Sequence, residues 1–430
     1  MDLITLSLFC TSLLICIIFD FSILYALIAG FFIFTLYGIY KGFSLSELLK
    51  EAFNGVKTVK NILITFILIG SLTALWRAGG TISFIVSYAS GLITPKIFLP
   101  MTFLLNAAVS ALIGTSFGTA ATIGVICATM GAAMGVNPVI VGGAVLSGVF
   151  WGDRCSPLST SALLVAELTK TDIYDNIKQM IKTSAVPTAL TIIIYAVIGL
   201  FLGNNGNIIN LDELFRTEFV FHIVTLLPAV TIIALTAFKV NVKKAMLASI
   251  LISVPVCCFI QSISAAEIFN IIIGGYTAKN PELDNIISGG GILSMVRVIC
   301  IVCISSSYSG LFRKTGLLDG VKRLINKLYT VSNSFISTLV PALLASLIAC
   351  NQTLAILLTH QMCDNIHTDN RRFSISLEDT AVVTAALVPW SIASGTPLTS
   401  IGAPSTSIAF AFYLMILPLW GVIVSLRNHK

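Results

Sequence analysis

The chain has 430 residues, of which 56% are hydrophobic and 10% charged, and its mean hydropathy is +0.97. Soluble domains carry about 25% charged residues, so a soluble fold is excluded and an all-α polytopic membrane protein is expected. The net charge of +6 is spread over loops, which argues against nucleic acid as a partner and for membrane lipid, with basic loops on the cytoplasmic side.

Apolar windows of about 20 residues recur along the chain, each long enough to cross roughly 30 Å of hydrocarbon. The first, 3–19, has no basic segment before it and no small-residue cleavage site, so it reads as a retained helix rather than a signal peptide. Spans at 21–40 and 61–78 follow, then a re-entrant hairpin at 98–134, a broken helix at 138–168 and a span at 183–202. A polar segment, 203–218, links these to spans at 219–238, 244–261 and 292–312, a second hairpin at 335–363, a broken helix at 380–404 and a last span at 406–426. The pattern gives ten crossings plus two hairpins, or fourteen crossings if each hairpin arm spans the bilayer. Segments 44–58 and 264–276 read as short interfacial helices.

The second series repeats the first. Glu47–Gly55 resembles Glu267–Gly275, Leu75–Gly80 resembles Leu311–Gly316, Ser110–Ser116 resembles Ser346–Gln352, and Ser156–Ser159 resembles Thr396–Thr399. The four matches keep their order, which predicts a first repeat over 1–202 and a second over 219–430. Matched loops carry opposite charge bias. Loop 41–60 has four lysines against two acids, whereas 262–291 has one lysine against three acids; 313–333 has five basic residues and one acid, whereas 79–97 has Lys96 alone. The two repeats are therefore expected to be inverted in the membrane, with both termini cytoplasmic.

Residues 97–152 contain no charged side chain or histidine, and this run ends at Asp153 within Phe150-Trp-Gly-Asp-Arg-Cys-Ser-Pro-Leu-Ser159. An acid at a helix break inside a membrane is costly and points to cation or proton binding. Asp153 could instead pair with Arg154 or cap a half-helix, but sequence neighbours do not face each other on a helix. Two polar breaks are predicted in each half. Gly114-Thr115-Ser116-Phe117-Gly118-Thr119 and Gly152–Ser159, which includes Ser156, Pro157 and Ser159, form the first pair. Cys350-Asn351-Gln352-Thr353 and Val388-Pro389-Trp390-Ser391 through Thr396, Pro397 and Thr399 form the second. Hydroxyl and amide oxygens at such breaks are neutral cation ligands, although small and hydroxyl residues also serve helix packing. Asn351 and Gln352 could be interhelical hydrogen-bond donors, and Trp390 is expected to line a cavity. Arg77 and Arg313 are expected to snorkel to the interface, with a substrate-carboxylate role as the alternative. Glu378 and Asp379 are expected to begin and cap the last broken helix, and the aligned region 389–396 has no acid, so a single one-sided charge is expected at the centre.

Ten scattered cysteines, including Cys300 and Cys303, read as small core residues. Four histidines without an HExxH motif, and the absence of Walker and GxGxxG motifs, leave no cofactor, nucleotide or enzyme chemistry in view. Transport would then be driven by a gradient.

The elements Gly114–Thr119, Phe150–Ser159 and Val388-Pro-Trp390 resemble the NhaC-type sodium/proton antiporter family, over nearly the whole chain. The resemblance implies inverted repeats with two hairpins and two broken helices, a homodimer, and Na⁺/H⁺ exchange, with organic solutes such as malate and lactate carried by some relatives. The family often shows S-P-x-S-D-T-T, where this chain has Thr160 in place of the second acid. The leading expectation is a Na⁺/H⁺ antiporter in which Asp153 holds Na⁺ or a proton in turn. Thr115, Ser116, Ser156, Asn351, Thr353 and Thr396 would supply neutral oxygens. Gly114, Gly118, Thr119, Gly152, Pro157, Ser159, Gln352, Pro389, Trp390, Ser391 and Pro397 would shape the cavity. The alternative is an ion-coupled transporter of an amino acid or carboxylate, and a passive channel is the less favoured third.

Overall fold

The computed structural model describes residues 2–19, 21–90, 93–201, 211–238, 240–317, 335–349, 351–364, 367 and 369–427. Cys350, residues 318–333 of the expected basic loop and 203–210 of the linker lie outside them. Among the described residues the chain is helical throughout, and pairing between strands is limited to one bridge, Tyr276–Gly289. Among the described residues, seven helices are long and apolar enough to cross a membrane, or eight if the bent pair Asn370–Leu387 and Ile392–Ile401 is one span. The remaining expected crossings are shorter, such as Ile4–Cys16, or composite, such as Ile223–Ala237. Side chains including Phe201, Phe238 and Phe259 stand fully outward on the helix surfaces, as suits lipid rather than water.

The two arms of the first expected hairpin, Pro95–Ile113 and Ser116–Ala133, are each long enough to span alone, whereas the second pair, Ile336–Ala349 and Gln352–Cys363, is shorter. The loop expected at 79–97 contains a helix, Thr81–Ser90. The reason is local: Gly80, at φ +74°, ends the preceding helix, and Thr81 Oγ1 then donates to the Thr225 carbonyl at 2.7 Å, so a new helix starts at once.

The short amphipathic helices are as expected. Leu45–Thr58 starts with a full capping box between Ser44 and Glu47, and Ala265–Gly274 starts with Ser264 accepting from the Glu267 N–H. Each packs on a long helix of the other half: Leu45–Thr58 on Ile292–Thr315, and Ala265–Gly274 on Lys60–Ala78. Gly55 and Gly310 permit the first crossing, since a Cβ on either would meet the facing backbone at Ser306 or Glu51. Other contacts also come in matched pairs. Asp2–Ile18 packs on Ile23–Tyr40 as Leu227–Ala237 packs on Val242–Phe259, and Ile23–Tyr40 meets Ile292–Thr315 as Val242–Phe259 meets Lys60–Ala78.

Arg77 departs from expectation. It is 6% exposed and donates from Nη1 to the carbonyls of Ile287 (2.7 Å) and Ser288 (3.1 Å), with no carboxylate partner among the described residues. The C-terminal carbonyls of Pro281–Ile287 present partial negative charge there, which lets the guanidinium stay inside instead of snorkelling. Arg313 is at its helix end and exposed, 3.9 Å from Glu51.

Candidate functional site

The longest helix contact in the first half sets the position of Asp153. Pro138–Arg154 lies along Pro95–Ile113, and the glycines that permit it are Gly148 and Gly152, four residues apart on one face. A Cβ on Gly152 would meet the Ala107 carbonyl and Ser110, and one on Gly148 would meet the Phe103 carbonyl. Ser110 Oγ donates to the Val149 carbonyl across the same seam at 2.6 Å. This is close backbone packing through small residues, with polar contacts holding the register. Gly152 therefore serves helix packing, and the break expected over 152–159 starts only after Arg154.

The break itself is short. Pro138–Arg154 ends at Cys155, the chain turns through Ser156, Pro157 and Leu158, and Ser159 caps Thr160–Thr169 by accepting from the Ala162 N–H at 3.4 Å. Ser156 Oγ accepts from the Leu158 N–H at 3.2 Å, stabilising the turn. The first hairpin break docks on this one. Gly114, at φ +73°, ends Pro95–Ile113 directly against Leu158, where a side chain would not fit. Thr115 follows in extended conformation, and Ser116–Thr119 packs on Pro138–Arg154. Thr119 Oγ1 bonds back to the Thr115 carbonyl at 2.9 Å, Ser116 is buried, and Gly118 sits against Thr115 and Val242. A π-helical turn, Ala120–Gly124, comes next, an irregularity often found at functional sites.

Asp153 is 4% exposed and accepts a long hydrogen bond from Ser161 Oγ at 3.5 Å. Ser161 is also 2.8 Å from Ser159 Oγ, so two hydroxyls form a chain leading to the carboxylate. Thr160, between them, points outward and is exposed. Asp153 and Arg154 do not pair. Arg154 is fully buried and bonds Asp379, 225 residues away, as well as Tyr413 Oη at 3.0 Å and Thr183 Oγ1 at 3.1 Å. Asp379 takes a further bond from Thr183 at 3.2 Å. This ion pair joins the broken helix of the first half to that of the second.

Glu378 and Asp379 correct two expectations. They end the helix Asn370–Asp379 instead of beginning one, and the N-cap is Asp369, which accepts from the N–H groups of Arg371 and Arg372. The central charge is consequently not a single acid. Glu378 is fully buried, neither of its oxygens has a hydrogen-bond partner, and Asp153, Arg154 and Asp379 all lie within electrostatic reach of it. A sequence signal for this existed: residues 380–426 contain no charged side chain or histidine, so Glu378-Asp379 borders a long uncharged run just as Asp153-Arg154 does.

The second-half breaks are more backbone-engaged. Asn351 caps Gln352–Cys363, accepting from the Leu354 N–H at 2.8 Å and donating to the Ala349 carbonyl at 3.2 Å. Gln352 donates to the Val382 carbonyl at 2.9 Å, tying the tip to the broken helix, and Thr353 is exposed. Trp390 is buried with its indole N–H on the Leu347 carbonyl at 2.9 Å, so it pins the break to a hairpin arm. Pro389 precedes it at the bend of 55°, and Ser391 caps Ile392–Ile401 through the Ala393 N–H. The break is shorter than expected, because Ser394 to Thr399, with Thr396 and Pro397, is helical. Thr396 is fully buried and its hydroxyl has no partner, and its helix touches Ser116–Thr119 and the π-turn. Thr396 and Ser116 thus approach the same region, whereas Thr353 does not point inward.

A profile of the Na⁺/H⁺ antiporter family matches residues 2–167 and 148–427. The chain is 30% identical to the malate-2H(+)/Na(+)-lactate antiporter of Bacillus subtilis over 86% of its own length and 82% of that protein. It is 25% identical to the Na(+)/H(+) antiporter NhaC of Alkalihalophilus pseudofirmus, over 92% and 88% of the two chains. It is 26% identical to the arginine/ornithine antiporter ArcD of Halobacterium salinarum, over 90% and 83%.

Proposed function

Because the chain belongs to the Na⁺/H⁺ antiporter family, we propose that it exchanges Na⁺ for H⁺ across the cytoplasmic membrane by alternating access, with Na⁺ and H⁺ as transported substrates. The observation that carries this reading is Asp153, a nearly buried carboxylate at a helix break, approached by hydroxyls and left without a cationic partner because Arg154 is engaged by Asp379. A carboxylate so placed takes either a proton or Na⁺, and exchange requires only that the site open to alternate sides with one or the other bound. Ser161 is within hydrogen-bond reach of the carboxylate, and Ser116 and Thr396, on elements that pack against each other and against Pro138–Arg154, are assigned to the rest of a cation's shell.

The fold is read as two inverted repeats, and a homodimer with both termini cytoplasmic completes the proposal. The matched contacts of the two halves support the repeats, and the opposite loop charges support the inversion. In a cysteine-free background, Lys50→Cys and Lys314→Cys should label from one face and Lys279→Cys from the other. Labelling of all three from one face would refute the inversion.

In proteoliposomes an imposed Na⁺ gradient should move protons, and Asp153→Asn should abolish this while leaving the protein monodisperse. Undiminished exchange in that variant would overturn the assignment. A second reading couples the ions to a small organic anion or amino acid. It is favoured by the names of the two organic-solute relatives and by Arg77, a buried guanidinium without a carboxylate among the described residues. Na⁺-dependent solute uptake without proton movement would select it.

A further inference from the structure

Asp153, Glu378, Asp379 and Arg154 are all buried within one electrostatic neighbourhood that spans the two broken helices. Their charges do not balance. Arg154 is the basic member, and its guanidinium is engaged by Asp379, Tyr413 and Thr183. Two carboxyls, Asp153 and Glu378, are left over. Asp153 has hydroxyls near it, but Glu378 has no donor on either oxygen. An isolated carboxylate in such a place costs many kcal/mol, so the group is stable only while it holds a proton or a cation. A purely structural role would be served as well by methionine, which carries no such cost.

The surroundings also give the group a way out. Glu378 lies eight residues, about 12 Å, along its helix from exposed Asn370. Ser374, one turn nearer that end and on the same face, is buried with an unpartnered hydroxyl. The helices packed around it bring few other ionisable groups inward. Thr160–Thr169 carries only Glu167, which is exposed; Ile173–Phe201 offers Thr183, which serves Asp379; Phe412–Arg427 brings Tyr413, already on Arg154; Gln352–Cys363 brings His360, which is stacked on Phe373 at 5.2 Å; Ile336–Ala349 has no ionisable side chain; and Asp153 and Arg154 come from the end of Pro138–Arg154.

We propose that Glu378 is a second ion-exchanging carboxyl, a proton site that is emptied and refilled in the transport cycle together with the Asp153 site. This rests on the reading of the chain as a cation/proton exchanger. Neutralising the cluster takes two monovalent cations, so the site would cycle between two protons and two Na⁺ ions. The proton's route to the exposed end of the helix would pass Ser374, one turn away and not hydrogen-bonded to Glu378 in this structure.

The test counts protons. Protein in lipid nanodiscs, in weakly buffered solution with a pH dye, receives saturating NaCl. Proton release should fall about twofold in Glu378→Gln, since one of two uncompensated carboxyls is made permanently neutral. Glu378→Asp, which keeps an acid, should retain wild-type release. Equal release from wild type and Glu378→Gln overturns the proposal. If Glu378→Gln does not fold, Glu378→Met carries the same comparison. Failure of the Na⁺/H⁺ reading is distinguishable, because wild type would then release no proton with Na⁺. Infrared spectroscopy decides Glu378 in that case: a protonated-carboxyl band that Glu378→Gln removes supports a held proton, and its absence overturns the site.

Discussion

Removing the acid from the Arg154–Asp379 pair should destabilise the fold more than most single changes in the chain. Arg154 is fully buried and Asp379 nearly so, and the pair joins helices that come from opposite halves. In Asp379→Ala the guanidinium keeps Tyr413, Thr183 and the distant Met180 carbonyl at 3.5 Å, but loses its counter-charge and leaves a cavity. Breaking a buried pair in this way costs about 3–5 kcal/mol, which is about two to three and a half powers of ten in the folded ratio at roughly 1.4 kcal/mol per decade. Glu378 lies close enough to take over part of the charge balance, so the low end, about 3 kcal/mol, is expected. Asp379→Asn keeps an acceptor and should lose about 1.5–3 kcal/mol, the value of a charge-assisted hydrogen bond. Replacing both partners, as in Arg154→Met with Asp379→Leu, should recover most of the loss, because no uncompensated charge remains. Thermal midpoints of detergent-solubilised protein, followed by fluorescence-detected gel filtration across the double-mutant cycle, measure this. A wild-type midpoint in Asp379→Ala, or single and double changes that simply add, would refute the reasoning.

Asn351→Ala should lower stability by about 1 kcal/mol through loss of the cap, whereas Asn351→Ser should keep both the midpoint and Na⁺ affinity. Weakened Na⁺ binding in Asn351→Ser at unchanged stability would instead show that the amide contacts the ion. His367, in the connection between Gln352–Cys363 and Asn370–Asp379, stacks on Phe373 at 4.4 Å and is 2.8 Å from Thr338 Oγ1. Burial lowers its pKa to about 4, against 6.5 for an ordinary histidine. Between those values the unfolded chain binds the extra proton, so stability falls as pH drops from 6.5 towards 4 and levels off below. His367→Gln should flatten that part of the midpoint–pH curve; an identical slope in the variant would exclude His367 as its cause.

Local backbone chemistry was readable in the sequence. Glycine, proline and hydroxyls point to breaks at 114–119 and 152–159; the first opens at Gly114 as expected, whereas the second is confined to 155–159 because Gly152–Arg154 stays helical, and in both a turn that needs positive φ or lacks a helix donor is written in the residues that form it. Where tertiary bonds compete, local reading fell short. The hydroxyls and Pro397 after Ser391 look like a longer break, yet buried packing keeps Ile392–Ile401 helical. Asn351 looked like a donor between helices or an ion ligand, and its backbone neighbours take both ends of the amide.

Membrane character and the order of the elements follow from composition and apolar periodicity, and the burial of Asp153 follows from an uncharged run that ends in an acid. A second run, beginning after Asp379, carried the same signal at the other broken helix. Which charges neutralise one another was decided only by the fold. Arg154 passes over its sequence neighbour Asp153 for Asp379, and Glu378 is left without a donor. Charge balance in a low-dielectric interior depends on distances between segments remote in sequence, and those are fixed by how the helices pack rather than by the residues beside each charge.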